Sequence, residues 1–329
     1  MSPTQNKPAS TLTVIIAFAT VYLVWGSTYF FIRMAIHGMP PLLMGAMRFT
    51  TAGLLMLTWC IIKGEKIFIW RSLINSAIVG ILLLGIGNGI VIWVEQTLPS
   101  AMVAILVSAA PIWFVLLDRQ NWFINFRSRS TITGLIIGFI GVILLFGEQL
   151  DGMLTGSDIS LKIIPMLLLI VGSISWSGGS LYAKHHPSTG SAVVNVAWQM
   201  IIAGLLFIPG SLLNHEFDGL HLARIPAQSW LALLYLIFFG SIAAFSAYVW
   251  LLKVRSATQV STYAYVNPVI AVILGVMFAG EHITLLQVTG LFVILGSVLL
   301  INLAKYRNKK AAQHVEKSDL AVMEEERNA

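Results

Sequence analysis

The sequence predicts an all-α integral membrane protein of ten transmembrane helices, arranged as two inverted five-helix repeats. Three observations support this fold class. Charged residues are scarce, apolar runs of membrane-spanning length recur along the chain, and the two halves share motifs at a nearly constant spacing. Together they place most of the protein surface in lipid.

The composition excludes an ordinary soluble protein. Of the 329 residues, 57% are apolar and 10% are charged, whereas soluble domains carry roughly 25% charged residues. The mean hydropathy of +0.84 agrees. The net charge of +6 fits basic residues at the cytoplasmic membrane face, so nucleic acid is not an expected partner. The single cysteine, Cys60, allows no internal disulfide and no cysteine metal cluster.

Ten apolar runs are long enough to cross the hydrocarbon core, which needs about 20 helical residues. They cover residues 12–32, 42–62, 73–93, 99–117, 131–147, 162–183, 192–213, 228–250, 258–279 and 284–304. The connections are short and leave no room for a soluble domain. We therefore predict a first repeat over 12–147, a second over 160–304, and a charged, disordered cytoplasmic tail over 305–329.

Lysine and arginine are distributed unevenly between the two sides of the predicted bundle. With a cytoplasmic N-terminus, fourteen of them fall in cytoplasmic segments and only Arg33, Lys162 and Arg224 fall on the other side. Basic loops stay in the cytoplasm. The distribution therefore predicts a multi-pass protein of the inner or plasma membrane with both termini in the cytoplasm.

The two halves of the chain resemble each other in register. Equivalent pairs at a spacing of 151 residues are Trp25 and Trp176, Arg48 and Gln199, and Gly53 and Gly204. Later pairs at a spacing of 156 residues are Ser100 and Ser256, and Gly134 and Gly290. A small loop insertion between the two groups explains the step in spacing.

Each predicted repeat has five helices, so the second repeat must enter the membrane in the opposite orientation. Arg33 outside and Lys184 inside, at equivalent positions, agree with this inversion. Inverted repeats provide two nearly equivalent halves that can open a central site to alternate sides of the membrane. This pattern favours a carrier over a channel or a structural protein.

At several of these positions the chain resembles the EamA family of the drug/metabolite transporter superfamily. The stretches that carry the resemblance are Trp25-Gly-Ser-Thr-Tyr-Phe, Arg48-Phe with Ala52-Gly53, Thr262-Tyr-Ala-Tyr-Val-Asn-Pro268-Val, Gly280-Glu281-x-x-Thr284, and Gln287-x-x-Gly290 with Gly296. The resemblance covers about residues 12–304.

The resemblance implies ten helices in two EamA repeats around a central cavity, with export of metabolites or amino-acid-like solutes. It places the solute between helices 1, 3 and 4 and helices 6, 8 and 9. The equivalent positions Arg48 and Gln199 differ between the repeats, which argues against a role that needs a symmetric charge. Multidrug-type efflux remains an alternative within the same superfamily.

Two charged residues are candidates for contact with a solute. Arg48 lies well inside helix 2, where a charge costs at least about 2.5–3.5 kcal/mol unless it faces a partner or a wet cavity. It binds a carboxylate, or it is a structural arginine that reaches the outer face. Glu95 at the outer end of helix 3 binds a cationic solute or a coupling proton, or it is a solvated helix end. We read Asp118 and Arg119 as an interfacial ion pair.

Two amides and two prolines interrupt the apolar helices. Asn88 lies in a glycine-rich segment, and its amide needs a partner on another helix or on a solute. Asn267 is followed by Pro268, and Pro111 occupies the matching position in the first half. Proline breaks at matching repeat positions predict that Pro111 and Pro268 lie at the binding region or act as hinges, with an ordinary kink as the alternative.

Aromatic residues form the largest candidate group. Trp25 and Trp176 lie near the middle of their helices, beside serine and threonine residues that include Thr28, and are predicted to line a pocket for an apolar or aromatic solute. Packing inside the bundle is the alternative. The other candidates are Tyr29, Trp113, Tyr182, Tyr248 and Tyr263.

No motif in the sequence implies a cofactor, a metal ion or an enzyme. There is no Walker pattern for ATP and no clustered nucleophile, carboxylate or metal-ligand set at one depth. The expected partners are a small-molecule solute, the lipid bilayer and a coupling ion such as a proton. A membrane-embedded enzyme and a sensor or assembly subunit are the rival classes, and the oligomeric state, monomer or homodimer, stays open.

Overall fold

The computed structural model describes residues 10–98, 100–145, 147, 159–186, 188–218, 220–279 and 284–302. All regular secondary structure in these ranges is helical. The predicted tail over 305–329 lies outside the described residues.

The longer helices of the described ranges follow one another along the chain. They are α1 (Thr11–Ile36), α2 (Pro41–Ile62), α3 (Trp70–Val94), α4 (Ser100–Val107, continued as Ala110–Leu117), α5 (Arg129–Leu145), α6 (Ile159–His185), α7 (Ala192–Leu213), α8 (Ala227–Val254), α9 (Ala257–Val260, continued as Tyr263–Ala279) and α10 (Leu285–Asn302).

The chain is a multi-pass membrane protein. Within the described ranges, eight helices are long and apolar enough to cross a membrane. The other two helices do not meet this criterion on their own. α5 has only 17 residues. After α4 the chain bends by 66°, between Val103–Leu117 and the short helical segment Arg119–Arg127. Large apolar side chains cover the outside of the bundle, such as Ile62, Leu213 and Phe292, which are 73%, 81% and 72% exposed. Helices suit this environment because they satisfy their own backbone hydrogen bonds in lipid.

Two of the helices contain long π-helical segments. In α3 the segment is Ile81–Asn88, and in α8 it is Leu236–Phe245. The starts of the segments are 155 residues apart and their ends 157 apart, close to the spacing of 156 between the halves. π-Helical turns are rare and are frequent at functional sites. Nothing in the apolar pattern of the sequence predicted them.

Glycines bring α2 and α7 into direct backbone contact. A Cβ atom on Gly53 would lie 2.9 Å from the backbone nitrogen of Ile201, and one on Gly204 would lie 2.6 Å from that of Thr50. Ile201 is 151 residues after Thr50, as Gly204 is after Gly53. The two contacts are therefore reciprocal. They lie in the most extensive contact between described helices, which we call the α2–α7 seam.

A second reciprocal contact joins α5 and α10. A Cβ atom on Gly134 would lie 2.6 Å from the Ile301 side chain, and one on Gly290 would lie 2.6 Å from the backbone nitrogen of Leu145. Gly290 lies 156 residues after Gly134, and Ile301 lies 156 residues after Leu145. Gly134 of α5 therefore packs inside the chain, at this α5–α10 seam.

Polar groups at the helix ends are satisfied by distant segments. Glu216, after α7, accepts hydrogen bonds from the first turn of α2: its Oε1 from the Leu42 N–H at 3.2 Å and its Oε2 from the Leu43 N–H at 2.8 Å. Ser211 donates to the same Oε2 at 2.8 Å. A carboxylate here complements the positive end of the α2 dipole.

The predicted ion pair between Asp118 and Arg119 is wrong. Asp118 is buried and accepts two hydrogen bonds at 3.0 Å from the Asn121 side chain, and its Oδ1 lies 3.7 Å from Nε2 of His185. The guanidinium of Arg119 stacks on the Trp122 ring instead, 5.6 Å from its centre. The chain turns after α4, so neighbouring side chains point to different surroundings.

Candidate functional site

One cavity opens between the helices, with a volume of about 740 Å³ including the space at its opening. Its walls come from α1, α2, α3, α4, α6, α8 and α9. Six of these are the helices that the family resemblance assigned to the solute, and α2 is an addition. The sequence-predicted residues that line it are Trp25, Thr28, Tyr29, Arg48, Asn88, Trp176, Tyr263 and Asn267.

Arg48 supplies the positive charge of the cavity. It is 2% exposed, and its Nε donates a hydrogen bond to Ser241 Oγ at 2.9 Å. The guanidinium also lies 4.7 Å from the centre of the Phe49 ring, which favours a cation by its π-system. Its Nη1 is buried and has no hydrogen-bond partner among the described residues. One strong charged donor is therefore left for a ligand.

Two amide oxygens complement this donor. Asn88 and Asn267 both line the cavity, and the Oδ1 atom of each is buried without a partner in the described part of the chain. The Asn267 side chain is within hydrogen-bonding reach of the Tyr29 hydroxyl. Unsatisfied buried acceptors are costly. These oxygens suit a solute that carries N–H or O–H donors beside its acid group.

An aromatic cluster forms one wall of the cavity. The Trp25 ring lies 5.4 Å from that of Trp176, 4.9 Å from that of Tyr248 and 5.0 Å from that of Tyr263, measured between ring centres. Trp25 Nε1 donates to the Gly240 carbonyl at 3.1 Å. Aromatic rings at these separations attract each other beyond their burial. We refer to the three rings that line the cavity, Trp25, Trp176 and Tyr263, as the aromatic wall, and Tyr248 packs against them.

Hydrogen bonds hold the aromatic wall from behind. Trp176 Nε1 donates to the Tyr248 hydroxyl at 3.1 Å, and the same hydroxyl lies 2.6 Å from Ser180 Oγ. Tyr248 is fully buried. It therefore supports the rings that line the cavity and is not itself part of the lining.

Glu95 is close in sequence to the cavity lining but is not itself a lining residue. It follows the last residue of α3, one helical turn beyond Val91, which is a lining residue. Its carboxylate is in the electrostatic field of Arg33 and Arg48. The side chain is 5% exposed, so it is not a solvated helix end. Both oxygens lack a hydrogen-bond partner among the described residues.

Two aromatic candidates lie outside the lining. Tyr182 donates its hydroxyl to Asn75 Oδ1 at 3.0 Å and stacks on the His186 ring at the end of α6. Trp113 lies in the second part of α4, away from the cavity surface, and its Nε1 is buried without a partner in the described ranges.

The two prolines occupy different helix positions. Pro111 follows the break that separates Ser100–Val107 from Ala110–Leu117, so it begins the second part of α4. Pro268 lies inside Tyr263–Ala279, directly after the cavity residue Asn267. α4 is interrupted just before Pro111, as a proline allows, whereas the helix Tyr263–Ala279 continues through Pro268. A hinge role for either proline remains a prediction.

Several lining residues carry no signal in the sequence. Phe49, Gly87, Ser173, Gly240 and Phe245 line the cavity, and Ser241 orients Arg48. Gly87 lies in the π-helical segment of α3, and Gly240, Ser241 and Phe245 in that of α8. Their positions depend on the wide turns, because a π-helical turn rotates every later side chain relative to an α-helix.

Comparison with known proteins gives a consistent picture. A model of the EamA-like transporter family matches residues 12–147 and 163–303. An uncharacterized inner membrane transporter of Escherichia coli K12, YedA, is 36% identical over 293 residues, which are 88% of this chain and 90% of that protein. A "probable amino-acid metabolite efflux pump" of Salmonella typhimurium is 26% identical over 306 residues, 89% of this chain and 95% of that protein.

A crystal structure shares the fold. It superposes with a TM-score of 0.73 and covers 91% of this chain and 99% of the crystallised one, at 18% sequence identity. At that identity the match concerns the arrangement of the helices alone.

Proposed function

The chain belongs to the EamA-like transporter family, and we propose that it is a secondary carrier that exports a small carboxylate-bearing metabolite, such as an amino acid with an apolar side chain. The observation that carries the proposal is the buried Nη1 of Arg48, which has no partner among the described residues in an otherwise largely apolar cavity. A solute carboxylate would supply that partner and offset the cost of the buried charge.

The remaining walls suit the rest of such a solute. Asn88 and Asn267 offer oxygen acceptors to an amino group, while Trp25, Phe49 and Trp176 offer apolar surface to a side chain. These groups bind and orient a solute, and transport requires no covalent step, so the protein acts as a carrier and not as an enzyme.

The proposed mechanism is alternating access by two inverted five-helix repeats with ten membrane-spanning helices. The reciprocal contacts of the α2–α7 and α5–α10 seams support it, because a pseudo-two-fold axis between the halves would generate such pairs. The π-helical segments at equivalent places in α3 and α8 support it as well. The first repeat runs over 12–147 and the second over 160–304.

We propose the direction of transport and the membrane location of the protein from its charge distribution and from the names of its relatives. The Lys and Arg distribution places both termini in the cytoplasm of a protein in the inner membrane. The printed names of the relatives, an inner membrane transporter and an efflux pump, favour export from the cell.

The test compares extracellular metabolites of cells that produce the intact chain with cells that produce Arg48→Ala. We expect one class of carboxylate-bearing solutes to accumulate outside only with the intact chain. Equal membrane levels of the two proteins must be verified, because removal of a buried charge also affects folding. Identical profiles at equal levels would refute the role of Arg48.

A matched control is available in the second half of the chain. Gln199 occupies the position equivalent to Arg48, is 4% exposed, and does not line the cavity. Gln199→Ala removes a buried polar side chain at the equivalent repeat position without touching the site. We expect it to leave the exported class unchanged, so a loss with both variants would indicate general damage to the bundle.

A further inference from the structure

A short helical segment leaves the bundle at the end of α4. Arg119–Arg127 is bent by 66° from Val103–Leu117. Its large apolar side chains are exposed, Phe123 by 73%, and they are Trp122, Phe123, Ile124 and Phe126. Aromatic side chains favour the boundary between lipid headgroups and hydrocarbon, and amphipathic helices lie in that boundary. We call residues Arg119–Arg129 the boundary segment.

The boundary segment is tied to two helices that line the cavity. Trp122 Nε1 donates a hydrogen bond to the Leu116 carbonyl of α4 at 2.9 Å. Asn125 is buried, and its Oδ1 accepts a hydrogen bond from the Thr258 hydroxyl of α9 at 3.4 Å. Both α4 and α9 carry lining residues. A ligand that fixes the boundary segment therefore also holds the ends of these two helices.

Two exposed guanidinium groups lie against neighbouring rings of the segment. That of Arg119 lies 5.6 Å from the centre of the Trp122 ring, and that of Arg127 lies 5.3 Å from the centre of the Phe123 ring. Neither side chain forms an ion pair or a hydrogen bond with a described residue. Contact with a ring uses no oxygen acceptor, so their N–H groups stay available to a ligand. A guanidinium group presents these donors in a fork that matches phosphate.

The nearby sequence offers these arginines no counter-charge. No acidic residue occurs between Arg119 and Leu145, while Arg129 adds a further positive charge. Asp118, directly before the boundary segment, is buried and accepts hydrogen bonds from Asn121. Positive charge beside exposed apolar rings is the complement of an anionic phospholipid, which carries a phosphate together with apolar chains. Soluble phosphate would satisfy the arginines and leave the rings uncovered.

We propose that the boundary segment is a binding site for an anionic phospholipid of the surrounding membrane. Arg119 and Arg127 hold its phosphate oxygens, Arg129 adds attraction, and its acyl chains cover Phe123 and Phe126. The bound lipid fixes the ends of α4 and α9 and thereby raises the rate of transport. The effect on the rate rests on the proposed function, whereas the lipid binding does not.

Lipid binding is measured on the full chain in neutral detergent, by native mass spectrometry and by thermal unfolding. Dioleoyl phosphatidylglycerol is the anionic probe, and dioleoyl phosphatidylcholine, with the same chains and no net charge, is the reference. We expect the chain to retain phosphatidylglycerol in preference and to melt at a higher temperature with it, because a ligand of the folded state stabilises that state. Equal retention and equal melting temperatures would overturn the proposal.

Arg119→Gln combined with Arg127→Gln removes two charges from the site. A basic side chain near an anionic surface strengthens binding about fivefold, so we expect the double variant to bind phosphatidylglycerol about twenty-five-fold more weakly. The matched control is Lys63→Gln with Arg71→Gln. It removes two exposed basic residues from the predicted cytoplasmic connection of α2 and α3, and Lys63 contacts a ring in the same way, 4.9 Å from the centre of Trp59.

We expect the control variant to keep the lipid preference of the intact chain. Equal weakening in the two double variants would mean that the lipid senses only the net charge of the protein, and the proposed site would be wrong.

A further variant covers the case that the exchange to glutamine impairs folding. Arg119→Lys with Arg127→Lys keeps both charges but loses the forked N–H groups. We expect severalfold weaker binding of phosphatidylglycerol. An unchanged affinity would show that the guanidinium groups do not hold the phosphate, which contradicts the proposal.

Inorganic phosphate distinguishes a lipid site from a site for a soluble anion. Added at the same concentration as phosphatidylglycerol, it should leave the melting temperature unchanged, because it cannot cover the exposed rings. If it raises the melting temperature as much as the lipid does, the site binds a soluble anion and the proposed lipid is refuted.

The effect on the rate is measured in proteoliposomes, by exchange of radiolabelled for unlabelled L-amino acids. Vesicles of phosphatidylcholine are compared with vesicles that also contain phosphatidylglycerol, and the rate and the half-saturating solute concentration are determined in both. We expect the anionic lipid to accelerate exchange by the intact chain and not by the double glutamine variant. Equal acceleration of both proteins would refute the role of the boundary segment in transport.

This assay separates the lipid site from the proposed function. If neither kind of vesicle shows exchange, the proposed substrate class fails, and the effect on its transport rate with it. The lipid binding measured in detergent decides the site independently of that result.

Discussion

The indole rings of Trp25 and Trp176 meet nearly edge to face, at an interplanar angle of 81°, although 151 residues separate them in the chain. The two residues occupy equivalent positions in the two halves. Their contact therefore joins the halves at the aromatic wall. It brings together two side chains that the sequence had related only by spacing.

Replacement of both tryptophans by leucine should reveal this contact as a coupling energy. In a double-mutant cycle with Trp25→Leu and Trp176→Leu, we expect about 0.5–1.5 kcal/mol between the two sites, the usual value for an aromatic pair. Reversible unfolding in detergent measures it. Trp198, which donates to the Ile67 carbonyl at 2.8 Å outside the wall, is the control partner and should be additive with Trp25. If the losses of unfolding free energy add for Trp25 with Trp176 as they do for Trp25 with Trp198, the prediction is wrong.

Ser241→Ala should disturb Arg48 without removing its charge. The variant deletes the acceptor of the 2.9 Å bond from Arg48 Nε, and a hydrogen bond to a charged group contributes about 1.5–3 kcal/mol. We expect lower thermal stability and a raised half-saturating solute concentration in the exchange assay. Stability loss with unchanged half-saturation would show that Ser241 does not orient the guanidinium for binding.

Gly53→Ala should destabilise the α2–α7 seam. The added Cβ would lie 2.8 Å from the Ala197 carbonyl oxygen, and backbone atoms cannot move aside as a flexible side chain can. Overpacking of this kind costs about 1–3 kcal/mol. Gly296→Ala in α10 is the control, because no atom lies within 4 Å of its added Cβ. Equal melting temperatures of the two variants would argue against the close approach.

Glu216→Gln should weaken the start of α2. The variant loses the negative charge that receives the Leu42 and Leu43 N–H groups, so we expect a loss of about 0.5–2 kcal/mol. Hydrogen–deuterium exchange of the first turn of α2 should increase locally. Asp218→Asn nearby, which is exposed, should leave that exchange unchanged. Unaltered protection in Glu216→Gln would refute the capping role.

Much of the cavity was predictable because polar and aromatic residues inside apolar helices avoid lipid. Arg48, Asn88 and Asn267 line the cavity for that reason. The same argument fails for Tyr182, which does not line the cavity. It lies six residues after Trp176, on another face of α6 and near its end. Residue type indicates that a side chain needs a partner, but not which partner it finds.

The helix boundaries were predictable to a lesser degree. Each apolar run coincides with a helix, yet hydropathy did not distinguish a 17-residue α5 or a bent α4 from a full span. The π-helical segments were invisible, since their apolar residues satisfy an α-helical pattern equally well. The position of Ser241 beside Arg48 depends on such a segment and could not be anticipated.

At Gly53 and Gly204 the α2–α7 seam brings helix backbone against helix backbone. Parting the helices there would lose the close packing that these glycines allow. In the proposed alternating access the two halves would therefore turn about this seam, and the helices around the cavity would take up the movement.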